Sequence, residues 1–153
     1  MAILKDMPKS LSDLVMIVDI PEYTESPWTD SVVAKDQRIA LISTAGLQRR
    51  DDRPFEFDSD DYRIIPDNVD PADIVMSHIS SDFDRSGFQQ DFNVVFPLGP
   101  LREMAAAGEI RSSATYHYSF MGGTHPDDMA ERAQHLIGLL KKDGVTGVVL
   151  APV

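Results

Sequence analysis

The amino-acid sequence predicts an α/β domain built on an open, mainly parallel sheet and preceded by an N-terminal arm. Three observations carry that reading. Apolar runs of strand length recur at 38–43, 73–80, 112–119 and 145–151. Amphipathic helical patterns at 100–107 and 126–143 lie among them. The last strand then begins directly after a helix, as a right-handed crossover between parallel strands requires.

Each element has a local reason. Ser10–Leu–Ser–Asp13 reads as a capping box with Asp in place of Glu, and Leu11, Leu14, Val15 and Val18 share one helical face, so a short helix is predicted over 11–19. Pro21 and Pro27 break the pattern, and 22–35 reads as an extended arm with Trp28 packed on the domain surface. Residues 1–36 are therefore assigned to the helix and arm, and 37–153 to the α/β domain. The run RIALIS at 38–43 is the first strand, closed by Thr44–Ala–Gly46. That single glycine makes neither a dinucleotide fingerprint nor a Walker loop. After an acidic loop at 51–61 and a short apolar piece at 62–65, DIVMSHIS at 73–80 reads as a second, buried strand. Ser86 is placed as the cap of a helical turn through Phe88, Asp91 and Phe92.

The helix predicted over 100–107 opens on Pro100, turns Leu101, Met104 and Ala105 inward and stops at Gly108. Thr115, Tyr116 and Tyr118 favour a third strand over 112–119. The longest helical pattern, 126–143, is capped by Thr124 or His125 and carries Asp127, Asp128 and Glu131 at its positive end. Met129, Ala133, Leu136, Ile137 and Leu140 fall at helical spacing, and Lys141 and Lys142 close it before Gly144. The final strand, 145–151, is apolar on both faces, as strands inside a parallel sheet are. Strands and helices alternating in this way give a Rossmann/flavodoxin-like three-layer arrangement.

Composition excludes several classes. A chain of 153 residues with 42% hydrophobic and 25% charged residues is an ordinary globule of one domain. Its 25 acidic and 14 basic residues give a net charge of −11, which repels a phosphate backbone and argues against nucleic acid as a partner. No apolar run reaches the ~18 residues of a membrane span, and MAILKDMPKSLSD lacks the apolar core of a secretory signal, so a cytoplasmic location is expected. The chain has no cysteine, hence no disulfide framework. The aspartates of the 51–61 loop do not follow the EF-hand spacing and read as a solvated face.

In open α/β sheets ligands bind beyond the carboxyl ends of the strands. Ser43 and Thr44, then Ser77, His78, Ser80 and Asp84, then His117, Tyr118 and Ser119 all fall at predicted strand ends, and the residue after Val153 emerges on the same edge. His78 and His117 read equally as core histidines and as functional imidazoles; two of them at strand ends favour the second reading. The spacing of His78, Asp82 and Asp84 offers no zinc site, because the chain supplies no thiolate. No serine sits in a G-x-S-x-G elbow, which excludes that form of Ser-His-Asp hydrolysis.

Two segments go further. SHISSDFDRSGFQQDFNVVFP at 77–97 and HYSFMG at 117–122 resemble selenoprotein B of the glycine/sarcosine/betaine/D-proline reductases, nearest the D-proline reductase branch. Similarity also runs through Pro27–Trp28, RIALISTAGL at 38–47, LREMAAAGEI at 101–110 and the last strand. The resemblance implies an oxidoreductase subunit that cleaves a carbon–nitrogen bond of a small amino-acid-derived substrate, working with other reductase subunits. It implies a selenocysteine, or cysteine, soon after the last strand, and in the D-proline branch a pyruvoyl group on a partner subunit that binds the substrate amine. It carries over His78 and His117 as proton donors or orienting groups. Ser77, Asp84, Ser86, Gln90, Asp91, Asn93, Tyr118 and Ser119 become candidates for holding substrate; for Gln90, Asp91 and Asn93 a bracing role before Pro97 is equally open.

The sequence departs from that pattern in having no redox residue. One reading is a chain cut just before a selenocysteine, since unrecoded UGA is a stop; such a chain alone is inactive, and its last strand is expected to leave an apolar edge that favours homo-oligomers. The other is a non-catalytic binding or assembly domain that has lost the residue.

Overall fold

A computed structural model describes residues 5, 7–17, 22, 24–30, 32–80 and 84–153. The chain divides into two compact units, Met1–Asp30 and Ser31–Val153.

In the first unit, helix α1 spans Lys9–Met16. It begins two residues before the predicted start, because Pro8 presets the first turn and its carbonyl accepts the Ser12 N–H at 3.0 Å. Ser10 thus lies inside the helix and does not cap it. Lys9 and Asp13 form an i,i+4 pair at 3.1 Å. The side chains of Leu11, Leu14 and Val15, and Val18 altogether, lie outside the described residues. Within this unit Trp28 is exposed.

The second unit is a mixed α/β domain around strand β1 (Arg38–Ser43). After β1 come β2 (Leu47–Arg49), β3 (Arg63–Pro66), β4 (Ile74–Met76), helix α2 (Ser86–Gln90), helix α3 (Leu98–Ala106), β5 (Ser112–Ser113), β6 (Tyr116–Ser119), helix α4 (Pro126–Lys142) and β7 (Gly147–Ala151). The main sheet is mostly parallel: β5 and β6 run beside β1 on one side and β7 on the other, with β3 antiparallel to β6 at the outer edge.

Three expectations are corrected here. The predicted 112–119 strand is broken. From Ile39 to Ile42 is three steps, but their partners Ser113 and Tyr118 are five apart, so two extra residues bulge out between β5 and β6. The predicted 73–80 strand shortens to β4 and leaves the main sheet, pairing antiparallel with β2, a strand the periodicity did not show. Gly46 causes this: at φ +64° it turns the chain off the end of β1, and its carbonyl takes the Ser77 N–H at 2.9 Å. At the last strand the expected apolar edge is present: among the described residues β7 pairs with β1 alone, and Val148, Val149 and Leu150 are exposed. Finally, Met104 of α3 and Ala133 and Ile137 of α4 are exposed although their spacing matched a buried face.

The sheet buries a cluster on each face. On one side Leu41, Leu47, Ile65, Ile74, Phe96, Leu98 and Leu101 pack together. On the other, Tyr118 and Phe120 meet Leu136 of α4, with Ile42, Met129, Leu139 and Leu140 partly buried against them. α4 is capped by His125, whose Nδ1 accepts the Asp127 N–H at 3.3 Å, and ends before Gly144 at φ +69°. The acidic loop is pinned from below: Arg63 donates to the Arg53 and Pro54 carbonyls and to Asp61, and lies 4.2 Å over the Phe55 ring.

Candidate functional site

The carboxyl ends of β1, β6 and β7 form a narrow edge whose floor is backbone. The Thr44 N–H donates to the Ala151 carbonyl at 3.3 Å, extending the β1–β7 ladder by one step. Beyond that the Thr44 hydroxyl takes over: its Oγ1 accepts the Val153 N–H at 2.8 Å and donates to the Val153 carbonyl at 3.3 Å. Gly122 lies against this clasp, where a Cβ would sit 2.8 Å from the Val153 oxygen and 2.9 Å from the Thr44 oxygen. Gly46 binds across to the Phe120 carbonyl at 2.9 Å, and a Cβ there would approach His78 N and Cα to 3.0 Å. Glycine is needed at both places because backbones meet without room for a side chain.

His78 stands on this edge, directly after β4, and is buried. Its Nδ1 accepts the Ser80 N–H at 3.1 Å, so in the neutral ring Nε2 carries the proton. Burial first, and the Arg85 guanidinium second, push its pKa below the ordinary histidine value. Arg85 donates to the His78 carbonyl at 2.5 Å and the Ser80 carbonyl at 2.8 Å. A neutral imidazole in that tautomer presents Nε2–H as a hydrogen-bond donor at this edge. Asp82, the third member of the metal spacing considered above, lies outside the described residues; among the described residues no three acidic or histidine groups gather around a cation position.

The other predicted residues scatter. His117 is fully buried, and its contacts lead away from the carboxyl edge. The bulge leaves the Leu41 N–H without a strand partner, and His117 Nδ1 accepts it at 3.0 Å. Nε2 then donates to Asp67 Oδ1 at 3.1 Å, while the Ser113 hydroxyl donates to the same oxygen at 2.6 Å. Ser113 pairs with Ile39 near the start of β1, and Asp67 follows β3, whose end lies beside Tyr116 at the start of β6. His117 therefore faces the amino edge, which corrects the expected common crevice with His78. Its pKa is lowered, chiefly by burial, with Asp67 pulling the other way.

Tyr118 and Ser119 point to opposite faces, as neighbours on a strand must. The Tyr118 ring meets Tyr62 edge-on at 5.5 Å on the α4 side, and burial raises its pKa. The Ser119 hydroxyl accepts the Leu47 N–H at 2.8 Å. Ser77 Oγ donates to Gln48 Oε1 at 2.6 Å and accepts the Phe55 N–H at 2.9 Å, tying the β2–β4 ribbon to the acidic loop. Ser86 is the first residue of α2 and does not cap it; Asp84 Oδ1 accepts the Ser86 N–H at 2.9 Å, and that bond with the Ser86 hydroxyl lowers the carboxyl pKa.

Gln90, Asp91 and Asn93 line a groove with Ala72 and Ile74, at the opposite end of β4 from His78. Asp91 Oδ1 accepts the Asn93 N–H at 2.9 Å and its Nδ2 at 2.8 Å. Asn93 Oδ1 in turn accepts the Gly99 N–H at 2.8 Å in the first turn of α3. Sequence reasoning placed Thr44 at a ligand-facing strand end without foreseeing its bonds to Val153, and gave Gly122 and Arg85 no role, although a glycine soon after a strand and an arginine inside the longest motif were visible signals.

Among the described residues the carboxyl edge of this mostly parallel α/β sheet thus has a backbone floor and one buried imidazole, His78. The chain belongs to the glycine/sarcosine/betaine reductase selenoprotein B family, which it matches over residues 22–153. It is 29% identical over 145 residues to the D-proline reductase subunit gamma of Acetoanaerobium sticklandii, covering 93% of this chain and 58% of that protein. It is 35% identical over 77 residues to the betaine reductase complex component B subunit beta of Peptoclostridium acidaminophilum, covering 50% of this chain and 18% of that protein. The chain thus spans little more than half of the first relative's length and less than a fifth of the second's. No solved structure matches it.

Proposed function

We propose that this chain builds the substrate-side cleft of a cytoplasmic amino-acid-derivative reductase subunit, in which a selenol or thiol carried beyond Val153 cleaves a carbon–nitrogen bond. The observation that carries the reading is the Thr44 clasp. It fixes the backbone of Val153 at the carboxyl edge, on a floor made by Gly46 and Gly122, where His78 also lies. Family membership and the names of the two relatives support a place among other reductase subunits. The resemblance adds a pyruvoyl group on one of those subunits for the D-proline branch. The parallel β6–β1–β7 core, with α4 over one face, suits the first part of a flavodoxin-like three-layer sheet.

In this mechanism the chain's own residues do the positioning. Neutral His78, its Nδ1 held by the Ser80 N–H, offers Nε2–H as the hydrogen-bond donor that orients the departing nitrogen, which takes its proton from solvent. Arg85 bonds the carbonyls of His78 and Ser80. Asp84 and Ser86 shape the loop's far end. His117, Ser119 and Ser77 hold backbone and neighbouring side chains, and their contribution is to geometry.

Assays on the assembled reductase with a dithiol reductant and glycine, sarcosine, betaine or D-proline test this. His78→Gln is expected to lower kcat by about 10²-fold or more with the fold intact, and the 153-residue chain alone is expected to give no turnover. Full activity in the His78→Gln enzyme, or turnover by the isolated chain, overturns the proposal. A second reading, an assembly domain without redox chemistry, is favoured by the absence of cysteine from all 153 residues. The codon after Val153 separates the two: UGA with a continuing frame supports the reductase, any other stop the assembly domain.

A further inference from the structure

The amino edge of the main sheet carries a recess of its own. A cavity of about 610 Å³ opens there, with Arg38, Pro66, Asp67, Asn68, Ala114 and Tyr116 in its lining. Its walls are the starts of β1 and β6, the chain after β3 and the two-residue bulge between β5 and β6. Bulges recur beside binding sites because they re-aim side chains out of a regular ladder. The recess lies at the other end of β1 from the Thr44 clasp.

One carboxylate is held ready in it. Asp67 Oδ1 accepts the Ser113 hydroxyl at 2.6 Å and the His117 Nε2–H at 3.1 Å, and the Asp67 N–H donates to the Thr115 carbonyl at 3.0 Å. Arg102 Nε stands 3.9 Å from the same Oδ1, with its guanidinium on the Val69 carbonyl. Among the described residues Oδ2 accepts no hydrogen bond. Above its lowered pKa the buried His117 ring is neutral, so it orients Asp67 without cancelling the charge. Arg38, the cation in the lining, has its five N–H donors occupied by Asp143, Ser112, Ser113 and Thr115. The Asn68 amide and the Tyr116 hydroxyl make no hydrogen bond among the described residues. Acceptors are therefore what the recess offers: Asp67 Oδ2, the Asn68 amide oxygen and the Tyr116 hydroxyl oxygen.

We propose that this recess binds the ammonium group of a small primary or secondary amine, which donates an N–H to Asp67 Oδ2. The occupant carries positive charge because a carboxylate faces it, and carries N–H groups because acceptors await them. An anion would meet that carboxylate with the Arg38 donors already in use. Pro66 and the Tyr116 ring give a short alkyl chain an apolar wall. The inference rests on the fold alone and not on the reductase reading, whose site is at the carboxyl edge.

Calorimetry and amide NMR of the 153-residue chain with propylammonium chloride test it. Saturable one-to-one binding is expected, with shifts concentrated at Asn68 and residues 113–116. Tetramethylammonium, which has the charge but no N–H, should bind about tenfold or more weakly, and propionate should not bind. In Asp67→Asn the two donors Ser113 and His117 require the amide oxygen in the Oδ1 place, which turns the NH₂ group toward the cavity. A donor then faces the ammonium, and affinity is expected to fall about tenfold or more with the circular dichroism spectrum unchanged. Asn68→Ala alters an exposed side chain outside that network and should weaken binding several-fold. Absence of saturable propylammonium binding would overturn the proposal. So would equal binding of tetramethylammonium, as general attraction to a chain of net charge −11 would give, or an affinity unchanged in both variants.

Discussion

His117 shows how one side chain can replace a missing strand. The two-residue bulge removes the carbonyl that would have met the Leu41 N–H, and the imidazole supplies the acceptor in its place. His117→Phe keeps the volume but leaves that buried N–H and the Asp67 carboxylate without their partner. We expect it to cost about 1–3 kcal/mol in urea unfolding. The same ring makes stability depend on pH. His117 and His78 both have folded pKa values below the ordinary 6.5. The unfolded chain therefore binds more protons just below that pH, so their contribution is fully present above about 6.5 and is lost as pH falls from there through the lowered values. The urea midpoint should drop between pH 7.5 and 5.5, and less steeply in His117→Phe; a midpoint that rises on acidification would contradict the assignment. Gly46 and Gly108 make a second comparison. Both have positive φ, but a Cβ meets the His78 backbone at 3.0 Å in one case and open space in the other. Gly108→Ala should cost about 1 kcal/mol and Gly46→Ala clearly more.

At the scale of elements, the polar residues of the long motif spend much of their hydrogen bonding on helix starts. Asp84 serves α2, Asp91 serves the turn at Phe92–Val94, and Asn93 serves α3. Pro100 lies in the first turn of α3, so the Asn93 amide oxygen is a side-chain acceptor for the Gly99 N–H just before it. Asn93→Ala is expected to lower stability by about 1 kcal/mol in urea unfolding. Asn93→Asp keeps the acceptor for Gly99 but sets a second carboxylate against Asp91, so its loss should shrink at acid pH; a loss that does not change with pH would show that the Asp91 contact is dispensable. The motif was legible as specific sequence, but its spacing could not say whether a carboxylate faces a ligand or a backbone N–H two residues away.

Across the whole domain, Arg38 and Asp143 tie the start of β1 to the end of α4. Arg38 donates to the Asp143 carboxylate and carbonyl, to the Ser112 and Thr115 hydroxyls and to the Ser113 carbonyl, and Asp143 accepts both the N–H and the hydroxyl of Thr115. Burial by itself would raise the Asp143 pKa, but the Arg38 and Thr115 bonds hold it below the usual carboxylate value. Asp143→Ala strands the guanidinium and the bulge together. A loss of about 2 kcal/mol or more is expected, discounted from the fully buried case because both groups are about one-fifth exposed. A thermal midpoint equal to that of the unmodified chain would show that the clasp is dispensable.

The sequence by itself determined the α/β class, the strand β1, the helices α3 and α4 with their caps, the character of the last strand and the family. These depend on local periodicity, on turn chemistry and on a long motif, all of which are written along the chain. The three-dimensional pairing was needed to show that residues 74–76 leave the main sheet and that His78 and His117 face different ends of it. Those outcomes hang on one positive-φ glycine and one two-residue bulge. Each redirects pairing between segments tens of residues apart, and pairing partners at that distance leave no mark in local hydrophobic pattern.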